Sequence, residues 1–358
     1  MQNGDCRVQS EDLETTHVVH FGDAVDMSAV GDGEVDLIVT SPPYPMIAMW
    51  DEVFANRDTG IGKRLGADDG PGAFEAMHGQ LDGVWEECWR VLREGGFACV
   101  NIGDAVRTVG GAFRLYTNHA RILVAMQQIG FSALPAILWR KPTNAPTKFM
   151  GSGMLPAGAY ATLQHEYILI LRKGEKRDFR SEDDKRLRRR SAIFWEERNT
   201  WFSDVWTDLR GASQVLDGGG RDRSGAFPFE LARRLIYMYS VRGDVVLDPF
   251  VGTGTTGQVA AVVGRSSVGY ELDGQLAETI QSRMGDVVGM GREEVERRLA
   301  RHRSFVEKWE AEQRKPMKHR NEHYGFAVMT GQEREMRLTR PVEIGREGGG
   351  WSVRQEEY

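Results

Sequence analysis

The stretch VDLIVTSPPY, residues 35–44, organises our interpretation of the whole chain. Its apolar part, residues 35–39, predicts a buried strand. The strand has to end at Ser41, because the two prolines that follow fix φ twice and remove two N–H donors. The resulting corner presents one hydroxyl, bare carbonyls and the ring of Tyr44, a set suited to a flat molecule that carries an amino group. A proline turn with a packed tyrosine explains these residues equally well, so the rest of the chain must decide.

Composition and charge indicate an ordinary globular protein. The 358 residues are 41% hydrophobic and 27% charged, enough for one large or two ordinary domains with a real core. A formal charge of −6 argues weakly against a nucleic-acid partner, since a basic face can be local. The three cysteines, Cys6, Cys88 and Cys99, form no CxxC pair, so neither a disulfide framework nor a metal site is predicted. No signal peptide or membrane-spanning run is visible, and we expect a cytoplasmic protein.

Strand-like and helix-like segments alternate along the chain, which favours an α/β fold with a largely parallel sheet. The predicted strands are residues 17–21, 35–40, 97–102, 134–139, 165–171, 244–247 and 267–270. The predicted helices are residues 82–93, 115–128, one beginning at Pro228, 258–263 and 293–313. The helix at 82–93 is expected to end at a C-cap formed by Gly95 and Gly96. Residues 51–80 predict a long loop, and the end of the chain predicts a poorly ordered tail.

A second constellation lies 200 residues further on, where a strand runs through Asp248 into the turn Gly252-Thr253-Gly254 and then a helix. Such a turn lets the backbone approach a ligand, and a tight turn without a ligand is the less favoured alternative. Glu271 follows 19 residues after Gly252, a spacing suited to binding ribose hydroxyls. The third glycine of a dinucleotide fingerprint and the Gly-Lys-Ser/Thr of a phosphate loop are missing. Two carboxylates without a phosphate anchor point to a cationic nucleoside, and S-adenosylmethionine fits that description.

The two constellations together resemble the amino-methylating DNA methyltransferases. The resemblance rests on Ser-Pro-Pro-Tyr at 41–44 and Asp-Pro-Phe-x-Gly-x-Gly-Thr-Thr at 248–256, in the order typical of the beta group. Further similar segments are Gly22-Asp23, residues 89–96, 137–142, 165–169 and 227–231, so the resemblance covers residues 17–285. Arg223 to Ala226 stand where the family often has a histidine, and this departure affects one contact only.

The resemblance implies a Rossmann-like class I methyltransferase fold with permuted motif order. Its sheet has seven mostly parallel strands and helices on both faces. We expect an N-terminal tail (1–16), a catalytic half (17–142), a target-recognition insert with one core strand (143–225), a cofactor-binding half (226–285), and a charged helical extension with a tail (286–358).

The same resemblance implies transfer of a methyl group from S-adenosylmethionine to the N4 amine of a cytosine flipped out of double-stranded DNA. Serine at the first motif position is typical of cytosine-N4 enzymes, and aspartate or asparagine of adenine-N6 enzymes, so adenine is the alternative. Cytosine-C5 methylation is set aside because no cysteine follows a proline. An RNA or protein-amide methyltransferase and a binding module without catalysis are more distant alternatives. A cognate restriction endonuclease is an optional partner, and the choice between monomer and homodimer stays open.

Candidate site residues fall into three groups. The catalytic group is Ser41, Pro42, Pro43 and Tyr44, with Ser41 and the Pro42 carbonyl accepting hydrogen bonds from the amine and Tyr44 stacking on the base. The cofactor group is Asp23, Thr40, Asp248, Pro249, Phe250, Gly252, Gly254, Thr255, Thr256 and Glu271. In this group Asp248 is expected at the methionine ammonium, Glu271 at the ribose and Asp23 near the adenine. The DNA group, chosen mainly from the basic run 172–190, is Lys141, Lys148, Arg172, Lys173, Arg188, Arg189 and Arg190. The tryptophans 195, 201 and 206 are more simply explained by packing.

Overall fold

The structure, a computed structural model, describes residues 13–141, 150–210 and 227–358. The strands are β1 (Leu13–Phe21), β2 (Val35–Thr40), β3 (Leu92–Ile102), β4 (Ala105–Val109), β5 (Ala112–Tyr116), β6 (Ser132–Arg140), β7 (Met150–Gly151), β8 (Ala159–Tyr160), β9 (His165–Arg172), β10 (Val205–Trp206), β11 (Val245–Asp248), β12 (Ser266–Glu271), β13 (His319–Arg320), β14 (Ala327–Val328), β15 (Thr339–Glu347) and β16 (Gly350–Glu357). The α-helices are α1 (Asp51–Arg57), α2 (Thr59–Gly66), α3 (Gly70–Val91), α4 (Asn118–Ile129), α5 (Glu182–Arg190), α6 (Trp195–Trp201), α7 (Phe229–Tyr239), α8 (Thr255–Val262), α9 (Ala277–Gly285) and α10 (Val287–Gln313).

One large sheet organises the molecule. Within the described ranges it has ten strands in the order β10-β6-β9-β3-β2-β11-β12-β1-β16-β15. The five central strands, from β3 to β1, are parallel, and β9 and β16 run against them. The seven strands from β6 to β1 match the predicted mostly parallel seven-stranded sheet. β10 extends this sheet at one edge and the β15–β16 hairpin at the other.

Helices cover both faces of the sheet, as predicted. On one face α3 and α4 pack with α1 and α2 around Trp85 and Met77, which are fully buried. On the other face α7, α8 and the start of α10 pack around Leu235 and Val259. Because both faces are covered, β2 and β11 at the middle of the sheet are mainly apolar, and this is why both were predicted within one residue.

The order of the strands creates a crevice between β2 and β11. From β2 the chain proceeds to β3 on one side, and from β11 it proceeds to β12 on the other. Neighbouring helices therefore diverge at this point, and ligands of such sheets bind here, beyond the carboxyl ends of the strands. Ser41 follows β2 and Pro249 follows β11, so the two sequence constellations meet at the crevice.

The prediction of a long loop over residues 51–80 is wrong, because α1, α2 and the first half of α3 occupy this region. Two of the four aspartates in this region are helix N-caps: Asp58 accepts a hydrogen bond from the Gly60 amide and Asp69 from the Gly72 amide. The predicted helix at 82–93 is the second half of α3, whose buried positions begin near Ala73. It ends at Val91 without the predicted glycine cap, and Gly95, with φ of 78°, lies inside β3.

The ends of the chain also differ from the prediction. Residues 13–16, assigned to the N-terminal tail, form the start of β1. The predicted disordered tail contains β15 and β16, joined by Gly348 and Gly349, both in the left-handed region with φ of 54° and 83°. β16 pairs with β1 through His17 and Trp351, so the end of the chain is part of the main sheet. The division into five segments otherwise stays a prediction.

Candidate active site

A cavity at the β2–β11 crevice is lined by residues from both halves of the chain. Ser41, Pro42 and Pro43 contribute the proline corner, and Pro249, Phe250 and Gly252 contribute the glycine turn. Four carboxylates lie in the described wall, those of Asp23, Asp248, Glu271 and Asp273, and four aromatic rings, those of Trp50, Phe227, Phe250 and Tyr270. The cavity is therefore mainly apolar and aromatic, with acidic groups at a few defined positions.

A buried carboxylate joins the two halves. Asp248, at the end of β11, is 4% exposed. Its Oδ1 accepts hydrogen bonds from Thr40 Oγ1 at 2.6 Å and the Phe250 amide at 3.0 Å, and its Oδ2 accepts one from Thr256 Oγ1 at 2.7 Å. Burial raises the pKa of Asp248, and the three donors oppose that rise. Asp248 thus fixes the end of β2, the glycine turn and the start of α8 relative to one another.

The glycine turn needs its glycines. Gly252 has φ of 53° and Gly254 has φ of 87°, both in the left-handed region. The Gly252 amide donates to Glu271 Oε2 at 2.7 Å, and the Asp273 amide donates to Oε1 at 2.8 Å. Glu271 therefore holds the turn against the end of β12 while it also lines the cavity.

The first helix after the proline corner closes one side of the cavity. Arg57 of α1 donates to Asp23 Oδ2 at 2.5 Å, and Asp23 Oδ1 accepts from the Val25 amide at 3.2 Å. Trp50 and Val53, from the same segment, also line the cavity. Sequence reasoning missed these residues because it treated the segment as a loop; the Asp58 and Asp69 caps were the available signal.

A polar network lies directly behind Ser41. Ser41 Oγ donates to Tyr44 Oη at 3.2 Å, and Tyr44 Oη donates to Glu166 Oε2 at 3.0 Å. Asn101 Nδ2 donates to both Tyr44 Oη and Glu166 Oε2 at 2.8 Å, and Lys141 Nζ donates to Glu166 Oε1 at 2.8 Å. Burial and, to a smaller extent, the Glu166 charge raise the pKa of Tyr44 well above its usual value.

Ten of the fourteen predicted catalytic and cofactor residues line the cavity: Ser41, Pro42, Pro43, Asp23, Asp248, Pro249, Phe250, Gly252, Thr255 and Glu271. The other four lie outside the lining. Thr40 and Thr256 bind Asp248, Gly254 shapes the turn, and Tyr44 stands behind Ser41 with its hydroxyl in the network. Asn101 and Glu166 were not predicted as site residues. The signal for Asn101 was a polar side chain in an apolar strand.

The basic run, residues 172–190, lies away from the cavity. Because β9 is antiparallel to β3, it carries Arg172 to the edge of the sheet opposite the cavity, where Arg172 pairs with Phe97. There Lys173 Nζ donates to the carbonyls of Trp89 and Leu92 at the end of α3, a structural role. The run continues into α5, and Arg177 binds Asp244 at the start of β11. The structure therefore does not bring Arg172, Lys173, Arg188, Arg189 and Arg190 to the cavity.

Lys141 is the predicted DNA residue that does lie beside the site, because β6 ends at the same edge as β2. Lys148 lies outside the described residues.

Of the three tryptophans, Trp201 and Trp206 are buried, as the packing interpretation expected, and Trp195 is 37% exposed. No helix among the described residues is long and apolar enough to cross a membrane.

The lining residues fit S-adenosylmethionine. Its sulfonium and ammonium groups are cationic, and the wall supplies the carboxylates of Asp23, Asp248 and Glu271. Among the described lining residues the arginine is Arg57, and it is paired with Asp23. The aromatic faces suit an adenine ring. Fold and site together define a class I methyltransferase.

Comparison with known proteins identifies the family. The family model for DNA methylases of the N6/N4 type matches residues 35–282, more than half of the chain. The Type II methyltransferase M.MthZI of Methanothermobacter thermautotrophicus is 48% identical over 331 residues, 92% of each chain. The Type II methyltransferase M.MjaI of Methanocaldococcus jannaschii is 47% identical over 289 residues, 78% of this chain and 94% of that protein. The chain therefore belongs to the N4/N6 family of DNA amino-methyltransferases.

A solved structure agrees with this assignment. TTHA0409 of Thermus thermophilus, a candidate DNA modification methylase, was solved in complex with S-adenosyl-L-methionine. It is 30% identical to this chain with a TM-score of 0.59, covering 76% of this chain and 94% of that chain. The predicted family, fold class and cofactor are thus confirmed, and DNA is the substrate that the family implies.

Proposed function

We propose that this protein methylates the exocyclic N4 amine of a cytosine that is flipped out of duplex DNA. The observation that carries the proposal is the position of Ser41 and Pro42, in the wall of the same cavity as the cofactor turn. The serine at this motif position supports cytosine over adenine. Flipping costs a few kcal/mol of unstacking, and stacking on the protein can return part of it.

The target amine is a weak nucleophile, because its lone pair is delocalised into the ring. Hydrogen bonds from the amine to Ser41 Oγ and to the Pro42 carbonyl would localise that lone pair and direct it into the cavity. S-adenosylmethionine supplies the activated methyl group. No strong base is required, since the nitrogen loses a proton readily once it is methylated. Alignment of the reacting groups can contribute ~7–11 kcal/mol, and the fixed dipoles of the corner add to this.

The other predicted roles follow the geometry. Asp248 lines the cavity next to the turn, where the methionine ammonium would lie, and Glu271 lies at the end of the neighbouring strand, where the ribose would lie. Tyr44 stands behind Ser41, so we propose that it supports Ser41 in addition to contacting the base. Lys141, at the rim of the network, is the proposed DNA contact among the described residues.

A modification role is the biological context that we propose. The names of the two relatives, both Type II methyltransferases, support pairing with a cognate restriction endonuclease. A single chain contains both the proline corner and the cofactor turn, so a monomer is sufficient for the chemistry.

The test identifies the product and the residues that make it. Unmodified genomic DNA is incubated with the protein and labelled S-adenosylmethionine, digested to nucleosides, and analysed by mass spectrometry. We expect N4-methylcytosine; N6-methyladenine would refute the cytosine assignment. Ser41→Ala should lower the rate at least tenfold, whereas Ser282→Ala, on the exposed surface of α9, should not change it. Near-normal rates in both Ser41→Ala and Tyr44→Ala would refute the mechanism.

A further inference from the structure

Glu166 is the end point of the network behind Ser41. It lies on β9 beside β3 and β6, and its side chain is 12% exposed. Its Oε2 accepts from Tyr44 Oη and Asn101 Nδ2, and its Oε1 accepts from Lys141 Nζ. Four elements of the fold therefore converge on one carboxylate that does not line the cavity.

The hydrogen bonds of this network run from donor to acceptor in one direction, from Ser41 through Tyr44 to Glu166. Tyr44 Oη receives hydrogen bonds from Ser41 Oγ and Asn101 Nδ2, and it gives its own proton to Glu166. A carboxylate can only accept hydrogen bonds, and Lys141 Nζ donates to the other oxygen of Glu166. The hydroxyl protons of Tyr44 and Ser41 are consequently both directed inward, away from the cavity.

This direction matters for the chemistry at Ser41. A hydroxyl that donated its proton to the target amine would occupy the nitrogen lone pair that has to attack. A hydroxyl whose proton is held by Tyr44 presents lone pairs instead, and these can accept a hydrogen bond from the amine. The inward direction is thus the productive one.

The arrangement is closely packed. Asn101 is 1% exposed. A Cβ added at Gly103, just after β3, would lie 3.0 Å from Tyr44 Cε2 and 3.3 Å from Glu166 Cγ, so the absence of a side chain there lets the two groups meet. Lys141 closes the outer side, with its ammonium 5.2 Å from the centroid of the Trp139 ring.

We propose that Glu166 is a positioning residue that acts through Tyr44 to hold the Ser41 hydroxyl as an acceptor for the target amine. The inference rests on the proposed function, because it requires Ser41 to receive a hydrogen bond from the base. It holds for either target base, since both present an exocyclic amine.

The decisive experiment is a double-mutant cycle between Glu166→Gln and Tyr44→Phe, measured as single-turnover methylation of unmodified genomic DNA. A glutamine can donate to Tyr44 and reverse the network, so Glu166→Gln should lower the rate about tenfold or more in the wild-type background. In the Tyr44→Phe background the same change should alter the rate less than about twofold, because the connection to Ser41 is already broken. A purely structural role for Glu166 would give equal losses in both backgrounds and would overturn the proposal.

Three measurements distinguish the possible causes of a lower methylation rate in Glu166→Gln. The Kd for S-adenosylmethionine should be unchanged in Glu166→Gln, which shows that the variant is folded; a large rise in Kd together with equal losses in both backgrounds would count against the proposal. Lys141→Met should mainly raise the KM for DNA. Glu87→Gln, which removes a carboxylate paired with Arg90 on α3, is the matched control and should keep the wild-type rate.

The proposed function and this inference fail in different ways. A wild-type rate in Ser41→Ala would refute the role of Ser41 and with it the inference. A loss in Ser41→Ala combined with a wild-type rate in Glu166→Gln would leave the proposed function intact and refute the inference alone.

Discussion

The hydroxyls that hold Asp248 provide a quantitative test of how the site is built. Thr40→Val and Thr256→Val each replace a buried hydroxyl with a methyl group of similar size. Each removes one hydrogen bond to a buried carboxylate, an interaction worth ~1.5–3 kcal/mol. The two losses should differ, because Asp248 Oδ1 keeps the Phe250 amide without Thr40, whereas within the described residues Oδ2 accepts from Thr256 alone. The Thr256 hydroxyl proton is shared between Asp248 Oδ2 and the Val39 carbonyl, which lies 3.2 Å from Oγ1.

We therefore expect Thr256→Val to lower the free energy of unfolding by ~3 kcal/mol and Thr40→Val by ~1.5 kcal/mol. The direction of the pH effect follows from Asp248, whose pKa burial already raises. Removing a donor raises that pKa further, so the folded variant takes up a proton more readily than the unfolded chain. Part of the lost stability should consequently return as the pH falls through the folded-state pKa of Asp248.

The assay is urea denaturation at several pH values, with the Kd for S-adenosylmethionine measured by calorimetry on the same samples. Thr108→Val, at an exposed position of β4, is the matched control and should stay within about 0.5 kcal/mol of wild type. The reasoning would be refuted if both variants lost less than about 0.5 kcal/mol of unfolding free energy, or if Thr40→Val lost more than Thr256→Val.

Three further predictions test other parts of the structure. Burial lowers the pKa of His17 to about 3 and of His78 to about 4, so below pH 6.5 the unfolded chain binds more protons. Each histidine should cost up to ~1.4 kcal/mol of stability per pH unit as the pH falls from 6.5 to 4, and His78→Gln should show a shallower decline in urea denaturation. Arg57→Gln should cost less than about 1 kcal/mol of stability, because its ion pair with Asp23 is partly exposed, yet calorimetry should show weaker S-adenosylmethionine binding. Trp351→Ala should destabilise the sheet by ~3–5 kcal/mol in the same urea assay, and an unchanged midpoint would contradict the placement of β16 beside β1.

The parts of the fold predicted correctly are those where local chemistry leaves little choice. β2 and β11 are short and mainly apolar, and a proline follows each within two residues, so their ends are well marked in the sequence. The failures have equally local causes. In residues 51–80 glycine and aspartate suggested a loop, yet two of the aspartates are N-caps and the apolar period of α3 begins at Ala73. In β16 the buried residues alternate with polar or charged ones, and the high charge concealed the strand.

The predicted site residues that reach the cavity are those that follow strands whose direction was also predicted correctly. Residues that follow β1, β2, β11 and β12 reach the cavity because these strands are parallel. Sequence periodicity does not report the direction of a strand, and β9 runs the other way. The last residue of β9, Arg172, and the basic residues that follow it are therefore carried to the opposite edge. The residue near its beginning, Glu166, is brought to Tyr44 instead.

The same geometry explains how two motifs about 200 residues apart form one site without any contribution from their order in the chain. β2 and β11 are hydrogen-bonded neighbours with Leu37 opposite Val246, so their carboxyl ends must emerge side by side. Thr40 then reaches Asp248 from one strand, and Thr256 reaches it from the helix that follows the other. Because a single carboxylate receives both hydroxyls, a change on either side moves the proline corner and the cofactor turn relative to each other. Substitutions at Thr40 should therefore affect cofactor binding, and substitutions at Thr256 should affect methyl transfer, although neither side chain lines the cavity.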